Sequence, residues 1–451
     1  MRLVLVNLMD DLHRRYSSAL ISQPPLALGA LYTLTPKDIE ISVLDEQVDN
    51  LEWDGDVFAF SVTTQLAKKT YHHADLLRKQ GKKVILGGYH VTACPDEAAK
   101  HADCVITGEA EMLWPQICDD IKAGRLKPRY KGYPTPGVAM PAIDRNAFKG
   151  KNYVFNGSLY ASRGCVYQCT FCGSSRLLGG YRTKPIVTVE KEIDAIRAAH
   201  GDVVLQFADD NPLADAAWAR EFLALMRKKK ARFVCQITVD QICDKELVDE
   251  LAASGCLAVA TGVESLEDDN IKSVSKAQNK GMPLADAVRY CRSKGIHVAA
   301  LLIVGLDNDT PERIERAVPH LRSIPFSVYD ICILRPFPGT GLYASMVGDG
   351  RTTPDWWLLP ESCPSNDRLP GYLRVYFKHN NFSAQEMQLS ALKFIEELNR
   401  TTPKQYKELL QTGMKSKAVG FSLKMIAGRL WLGRQAKLWQ KDIVLEVPLT
   451  T

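Results

Sequence analysis

The chain has 451 residues, 46% of them hydrophobic and 24% charged, which excludes a disordered or collagen-like polymer and implies two or three cores rather than one. Its net charge of +5 is too mild to argue for nucleic acid, and the longest apolar run, from His297 to Leu306, is too short to cross a bilayer. The opening MRLVLVNLMDD turns acidic after one short apolar run, unlike a signal peptide, so a cytoplasmic protein with reduced thiols is expected.

Residues 1–130 alternate short apolar segments with helical ones. RLVLVN, ISVLDEQ, VFAFSV, KKVILGG and DCVITGE read as strands, and PPLALGALYTL, AKKTYHHADLLRKQG and WPQICDDIKAG as helices between them. That alternation predicts a parallel, doubly wound, Rossmann-like sheet with its ligand outside the carboxyl ends of the strands. Residues 131–152, with Pro134, Pro136 and Pro141, read as a linker.

Residues 153–350 start a second series. SLYASRG, VVLQFADD, RFVCQITVD, LAVATGVES, HVAALLIVGL and YDICILRPF are its strands, with helical segments between them. Six βα units predict a partial (β/α)6 barrel of the TIM type, with its site at the strand C-terminal ends. Residues 351–451 form a smaller, mainly helical region. From Gly371 onward 13 Lys and Arg face 6 Asp and Glu, so the basic character lies in the tail. There Leu423, Ile426, Ala427, Leu430 and Trp431 fall on one predicted helix face. That face fits a membrane-surface helix, a docking face, or a helix packed on the barrel with a solvated basic edge.

Nine of the twelve cysteines are scattered, mostly among apolar neighbours, and read as small core residues. Cys165, Cys169 and Cys172 stand apart: they space as C-x3-C-x2-C directly after the first strand of the second series. Thiolates suit iron–sulfur clusters and zinc alike. Closed structural zinc needs a fourth ligand, and no nearby Cys or His supplies one. Three thiolates on one loop can instead hold three irons of a [4Fe–4S] cubane and leave the fourth open.

The motif, with Phe171 before its third cysteine and Gly173 after it, resembles the radical S-adenosylmethionine (SAM) superfamily. The resemblance extends over residues 155–350. It takes in Gln206 to Asn211, containing Asp209 and Asp210; Thr261 to Ser265, containing Glu264; Leu301 to Gly305; and Arg335 to Thr340. It implies SAM contacts at Phe171, Gly173, Asp209, Asp210, Thr261, Glu264 and Gly305, although Asp209 and Asp210 could merely cap a helix and Glu264 could merely close its strand. It further implies a 5′-deoxyadenosyl radical, formed by an electron from a reductant such as flavodoxin or ferredoxin.

A doubly wound domain before such a barrel resembles the cobalamin-binding domain of the cobalamin-dependent class. The matching positions are Pro25 in the first helix, Ser61, Thr63, Gln65 and Leu66 after the third strand, Gly87, Gly88 and His90 after the fourth, and Gly108 and Glu109 after the fifth. Gly87 and Gly88 also fit a plain tight turn. Asp11-Leu12-His13 lacks the glycine that completes the corrinoid D-x-H-x-x-G motif, so Thr63, Gln65 or Leu66 is expected to cover the lower face of cobalt. The implied activity is methylation of an unactivated carbon through the 5′-deoxyadenosyl radical and methylcobalamin. The alternatives are a non-methylating cyclisation or rearrangement, or a corrinoid- or cluster-binding sensor or electron-transfer protein. The substrate is a small molecule or a peptide or protein side chain.

Overall fold

The computed structural model describes residues 1–10, 22–177, 179–276, 278, 279, 281–359 and 369–444; His13 lies outside the described residues. The chain divides into two compact units. One comprises residues 1–166, 172–209 and 337–340, the other 167–171, 210–336 and 341–451.

In the first unit, the strands β1 (Arg2–Asn7), β2 (Glu40–Asp45), β3 (Val57–Ser61), β4 (Lys83–Gly87), β5 (Cys104–Thr107) and β6 (Arg129–Lys131) form one parallel sheet, in the order β2-β1-β3-β4-β5-β6. Leu3 to Val6 are at most 3% exposed, as a strand covered on both faces requires. The helices α1 (Leu26–Leu34), α2 (Ala67–Lys79) and α3 (Trp114–Lys122) return the chain between strands. The chain order reverses between β1 and β3, the switch point at which such sheets bind ligands. The residues read as a linker do more than connect: Lys131 ends an edge strand, and 3-10 turns follow at Gly137–Ala139 and Arg145–Phe148. Three paired residues suffice for an edge strand, too few to show as an apolar run.

The first unit also holds β7 (Ser158–Leu159), β8 (Ser162–Arg163), β9 (Arg182–Thr183), α4 (Ile186–His200) and β10 (Leu205–Phe207). β7 and β10 pair in parallel, and β8 with β9 antiparallel.

In the second unit, α5 (Ala216–Lys229) leads to β11 (Phe233–Gln236), α6 (Lys245–Ala253), β12 (Cys256–Glu264), α7 (Leu284–Ser293), β13 (His297–Val304), α8 (Pro311–Ser323) and β14 (Val328–Ile333). Asp215, Asp244 and Thr310 cap the helices that follow them, each accepting from first-turn amides. β11 to β14 pair in sequence order, all parallel.

Three helices complete this unit: α9 (Ala384–Asn399), α10 (Pro403–Lys415) and α11 (Val419–Val444). α9 packs on α8, β14 and α11. The buried face of α11 differs from the one the sequence predicted. Ser422, Ile426, Arg429, Ala436 and Trp439 are buried, whereas Leu423 and Leu430 are 52% and 42% exposed. Arg429 sets this rotation. Its guanidinium donates to the carbonyls of Phe326 (3.1 Å) and Leu398 (2.7 Å) and lies 5.3 Å from the Tyr329 ring. An arginine so satisfied is buried in preference to a leucine. Among the described residues no helix is long and apolar enough to cross a membrane.

Candidate active site

Parallel pairing gathers the carboxyl ends of β3, β4 and β5 along one edge of the first sheet. Pro25 precedes α1 there. Ser61 ends β3, Thr63 is exposed, and a 3-10 turn (Thr64–Leu66) leaves Gln65 and Leu66 half-buried. Gly87 ends β4 and Gly108 follows β5. Gly88 has φ +102°, and a Cβ there would lie 2.9 Å from the backbone N and O of Val62, so the β4 turn itself demands glycine. His90 is fully buried, with Nδ1 3.3 Å from Thr64 Oγ1 and Nε2 3.0 Å from Glu97 and 3.1 Å from the Tyr71 hydroxyl. Both of its ring nitrogens are engaged within the unit. Glu109 is engaged too: it accepts from the Thr135 amide (2.6 Å), Arg182 (2.8 Å) and Arg163 (3.0 Å). Arg163 also reaches Glu111 at 2.7 Å, which ties the residue two places before Cys165 to the β5 turn.

The cysteine loop combines one buried thiol, Cys169 at 6% exposure, with two half-buried ones, Cys165 and Cys172. The second unit pins its middle. The Thr170 amide donates to the Val274 carbonyl (3.1 Å), and the Thr170 carbonyl accepts from the Leu342 amide (2.9 Å). Gln278 Nε2 donates to Cys169 Sγ at 3.5 Å, and Lys276 Nζ lies 6.0 Å from the Phe171 ring centre. The Gly173 carbonyl accepts from Leu177 (2.8 Å) and opens a helical turn. Among the described residues no three His, Cys, Asp or Glu side chains close around one ion. Three thiolates on one loop are the donor chemistry that the corner irons of a cubane take.

β12 ends in a bulge: its register with β13 shifts between Gly262 and Glu264, and Glu264 takes φ +60°. Positive φ at a non-glycine residue stores strain and re-aims the side chain. Glu264 is buried and paired with Lys276 Nζ at 2.6 Å. Burial raises its carboxyl above the usual range, and Lys276 opposes the rise. A methyl group at Gly262 would meet both Glu264 Oε1 and Lys276 Nζ, so the pair would have to shift to admit one. Gly305, just after β13, donates its amide to Asp309 at 2.8 Å, and Asn270 Nδ2 donates to the same side chain at 2.7 Å.

Among the side-chain atoms of this unit buried without a hydrogen-bond partner among the described residues are Thr261 Oγ1, Asp240 Oδ1, Gln278 Oε1 and Asn279 Oδ1. Asp240 and Gln278 neighbour the cysteine loop, and Asn279 neighbours the end of β12. Asp240 Oδ2 accepts from the Tyr167 hydroxyl at 3.2 Å, its amide donates to the Gln278 carbonyl at 3.2 Å, and Asn279 Nδ2 donates to the Val263 carbonyl at 2.8 Å. Buried polar atoms left open in this way mark where a polar ligand completes the bonding. The three acceptor oxygens of Asp240, Gln278 and Asn279 fit the amino and ribose hydroxyl groups of SAM, and the Thr261 hydroxyl can donate to its carboxylate. Asp209 differs: both carboxylate oxygens accept from the Ala161 amide (3.0 and 3.1 Å), and Oδ1 also from Ser162 Oγ (2.6 Å). Burial pushes it up to about 6. This carboxylate ties the end of β10 to the strand before the thiol loop. Asp210 is half-buried and belongs to the second unit.

On β12 to β14 alternate residues are accessible: Ala260; Ala299, Leu301 and Ile303; Val328, Asp330 and Cys332. The register pairs Leu301 with Asp330 and Ile303 with Cys332, so these form one face. Tyr329, Ile331 and Ile333 are buried on the other, where α9 packs. Asp330 is reached by solvent yet ringed by protein, which raises its carboxyl, and it accepts no hydrogen bond from any described residue. Tyr372, whose hydroxyl burial also raises, and Cys332, pushed up to about 12, feel its charge. These are the features of a cavity wall inside a barrel.

Residues 159–319 match the radical SAM superfamily. The chain is 30% identical over 336 residues to the bacteriochlorophyllide d C-12(1)-methyltransferase of Chlorobaculum tepidum, covering 71% of this chain and 73% of the relative. It is 29% identical over 358 residues to the bacteriochlorophyllide d C-8(2)-methyltransferase of the same organism, covering 74% and 79%. The chain belongs to the radical SAM superfamily, among its methyltransferases. Its cofactors as a family member are a [4Fe–4S] cluster and SAM. Among solved structures, the radical SAM methyltransferase TsrM of Kitasatospora setae, with cobalamin and a [4Fe–4S] cluster bound, matches 97% of this chain and 99% of its own with a TM-score of 0.68 at 18% identity. That likeness establishes the fold of this radical SAM protein: a doubly wound Rossmann-like domain, a partial (β/α)6 barrel and a helical C-terminal region.

The sequence reading missed Lys276, Gln278, Asn279 and Tyr372, which sit in irregular segments without periodicity. It also passed over Asp330, although a lone acid amid the apolar VYDICI strand is a readable signal.

Proposed function

We propose that this chain is a cobalamin-dependent radical SAM enzyme that methylates an unactivated carbon. Cys165, Cys169 and Cys172 would hold the cluster, whose chemistry when bound is reductive cleavage of SAM to a hydrogen-abstracting radical, and a bound cobalamin would supply the methyl group. Phe171, Gly173, Asp210, Thr261, Glu264 and Gly305 surround SAM, with Thr261, Gln278 and Asn279 offering it open hydrogen-bonding atoms. Asp209 and Lys276 hold this frame in shape. Pro25, Ser61, Thr63, Gln65, Leu66, Gly87 and Gly108 border the corrinoid, which Gly88, His90 and Glu109 support from behind. Thr63, Gln65 and Leu66, on the turn after β3, would be among the residues that hold it.

The apolar lumen wall of Leu301 and Ile303, with Asp330 as a polar anchor, suits a largely apolar substrate carrying one hydrogen-bond donor. The electron comes from a flavodoxin- or ferredoxin-type reductant.

One observation carries the reading: a buried thiol of the C-x3-C-x2-C loop accepts from Gln278 beside polar atoms that lack partners. The test is anaerobic reconstitution with iron, sulfide and hydroxocobalamin, followed by turnover with methyl-labelled SAM. Label in cobalamin and product, with both S-adenosylhomocysteine and 5′-deoxyadenosine formed, is expected. 5′-Deoxyadenosine with no label transferred and no S-adenosylhomocysteine overturns methyl transfer.

A further inference from the structure

The outer wall of the second unit carries a feature that neither the thiol loop nor the lumen uses. A cavity of about 640 Å³ lies among α7, α8, α10 and α11, lined by Arg289, Arg292, Arg322, Lys404, Lys415 and Arg429, with Glu408 as the carboxylate in its wall. That volume is in the small-molecule range.

Its charges are incompletely answered. Glu408 lies 3.6 Å from Arg292, while Asp286 and Glu397 reach Arg289 (2.6 Å) and Arg322 (3.5 Å) from outside the wall. Among the described residues Lys404 and Lys415 make no ion pair. Arg429 is 1% exposed, and its Nε is buried without an acceptor. Burial holds its guanidinium down to about 10, and Arg322 and Arg292 press in the same direction. Like charges crowded around a cavity oppose folding unless an anion enters. Planar guanidinium forks beside ammonium point charges match phosphate best. Half of these six cations, Lys404, Lys415 and Arg429, come from the basic tail, whose charge the thiol chemistry does not call on.

We propose that this cavity binds the phosphate group of an anionic ligand, held by Arg292, Arg322, Lys404, Lys415 and Arg429. The site is separate from the cofactor and substrate positions and does not depend on them.

Calorimetric titration of the reconstituted full chain with sodium pyrophosphate tests it. A saturable isotherm is expected, one that sodium chloride at equal ionic strength does not reproduce. K404Q/K415Q changes two exposed side chains and weakens binding about tenfold or more, with the melting temperature and 5′-deoxyadenosine formation unchanged. Cosedimentation with phosphatidic acid vesicles, reversed by pyrophosphate and absent with phosphatidylcholine, assigns the phosphate to a lipid headgroup. Pyrophosphate binding without cosedimentation assigns it to a free phosphorylated molecule. No saturable isotherm, or one that K404Q/K415Q leaves unaltered, overturns the proposal.

Discussion

The carboxyl edge of the first sheet and the interior of the second unit both carry polar residues at strand ends, yet they treat them differently. At the first edge His90, Thr64 and Glu109 are buried and bonded within the unit, while Thr63 is exposed and Gln65 and Leu66 are half-buried. In the second unit Thr261, Asp240, Gln278 and Asn279 keep buried atoms without partners. The difference separates two ways of building a binding surface. In one, the named buried groups are met within the unit, and in the other the named groups are left open inside the frame for a ligand to complete. Since an unmet buried polar group costs stability, the second arrangement persists where a bound molecule repays it.

The most severe way to break this comparison is to remove the thiols. C165A/C169A/C172A should bring iron to background and abolish 5′-deoxyadenosine formation, by iron analysis and chromatography. K276M should follow, because it leaves Glu264 buried and unpaired: roughly 3–5 kcal/mol of stability lost in denaturant titration, largely restored by adding E264Q. Two threonines then sharpen the contrast. T64V, which removes a bonded hydroxyl, should cost about 1–3 kcal/mol and leave SAM affinity intact. T261V, which removes an orphaned one, should leave stability level or higher while weakening SAM binding about tenfold. D330N should lower methylated product through a raised KM while SAM cleavage continues, separating the lumen anchor from the SAM site.

The smallest effect is one of pH. Burial lowers His297 from 6.5 to about 4, and its ring joins Ser327 Oγ (2.9 Å) to Ser422 Oγ (2.7 Å) on α11. The unfolded chain binds this proton more readily than the folded one. The stability His297 contributes is therefore full above about pH 6.5 and lost as pH falls toward 4. Thermal melts should show that decline, and H297Q should remove it.

The sequence showed the periodic and the local. Apolar runs of four to six residues marked β1 to β5 because buried parallel strands must be apolar on both faces. The three cysteines were visible because their spacing is a feature of one loop. The register of α11 was misjudged, since only packing shows that Arg429 can outcompete leucines for burial by reaching three carbonyls and a ring. Asp209, Glu109 and His90 could be placed at strand ends from sequence, but not their partners, which lie up to 48, 73 and 26 residues away.

Composition and spacing alone thus determined the two βα series, the thiol loop and the chemistry that loop can host. Tertiary structure decided which polar atoms are met and which are left open, which face of α11 is buried, and that Lys276 and Gln278 come to stand beside Glu264 and Cys169. Periodicity is written along the chain, whereas hydrogen-bond satisfaction depends on groups brought together from distant segments and can be read only once they have met.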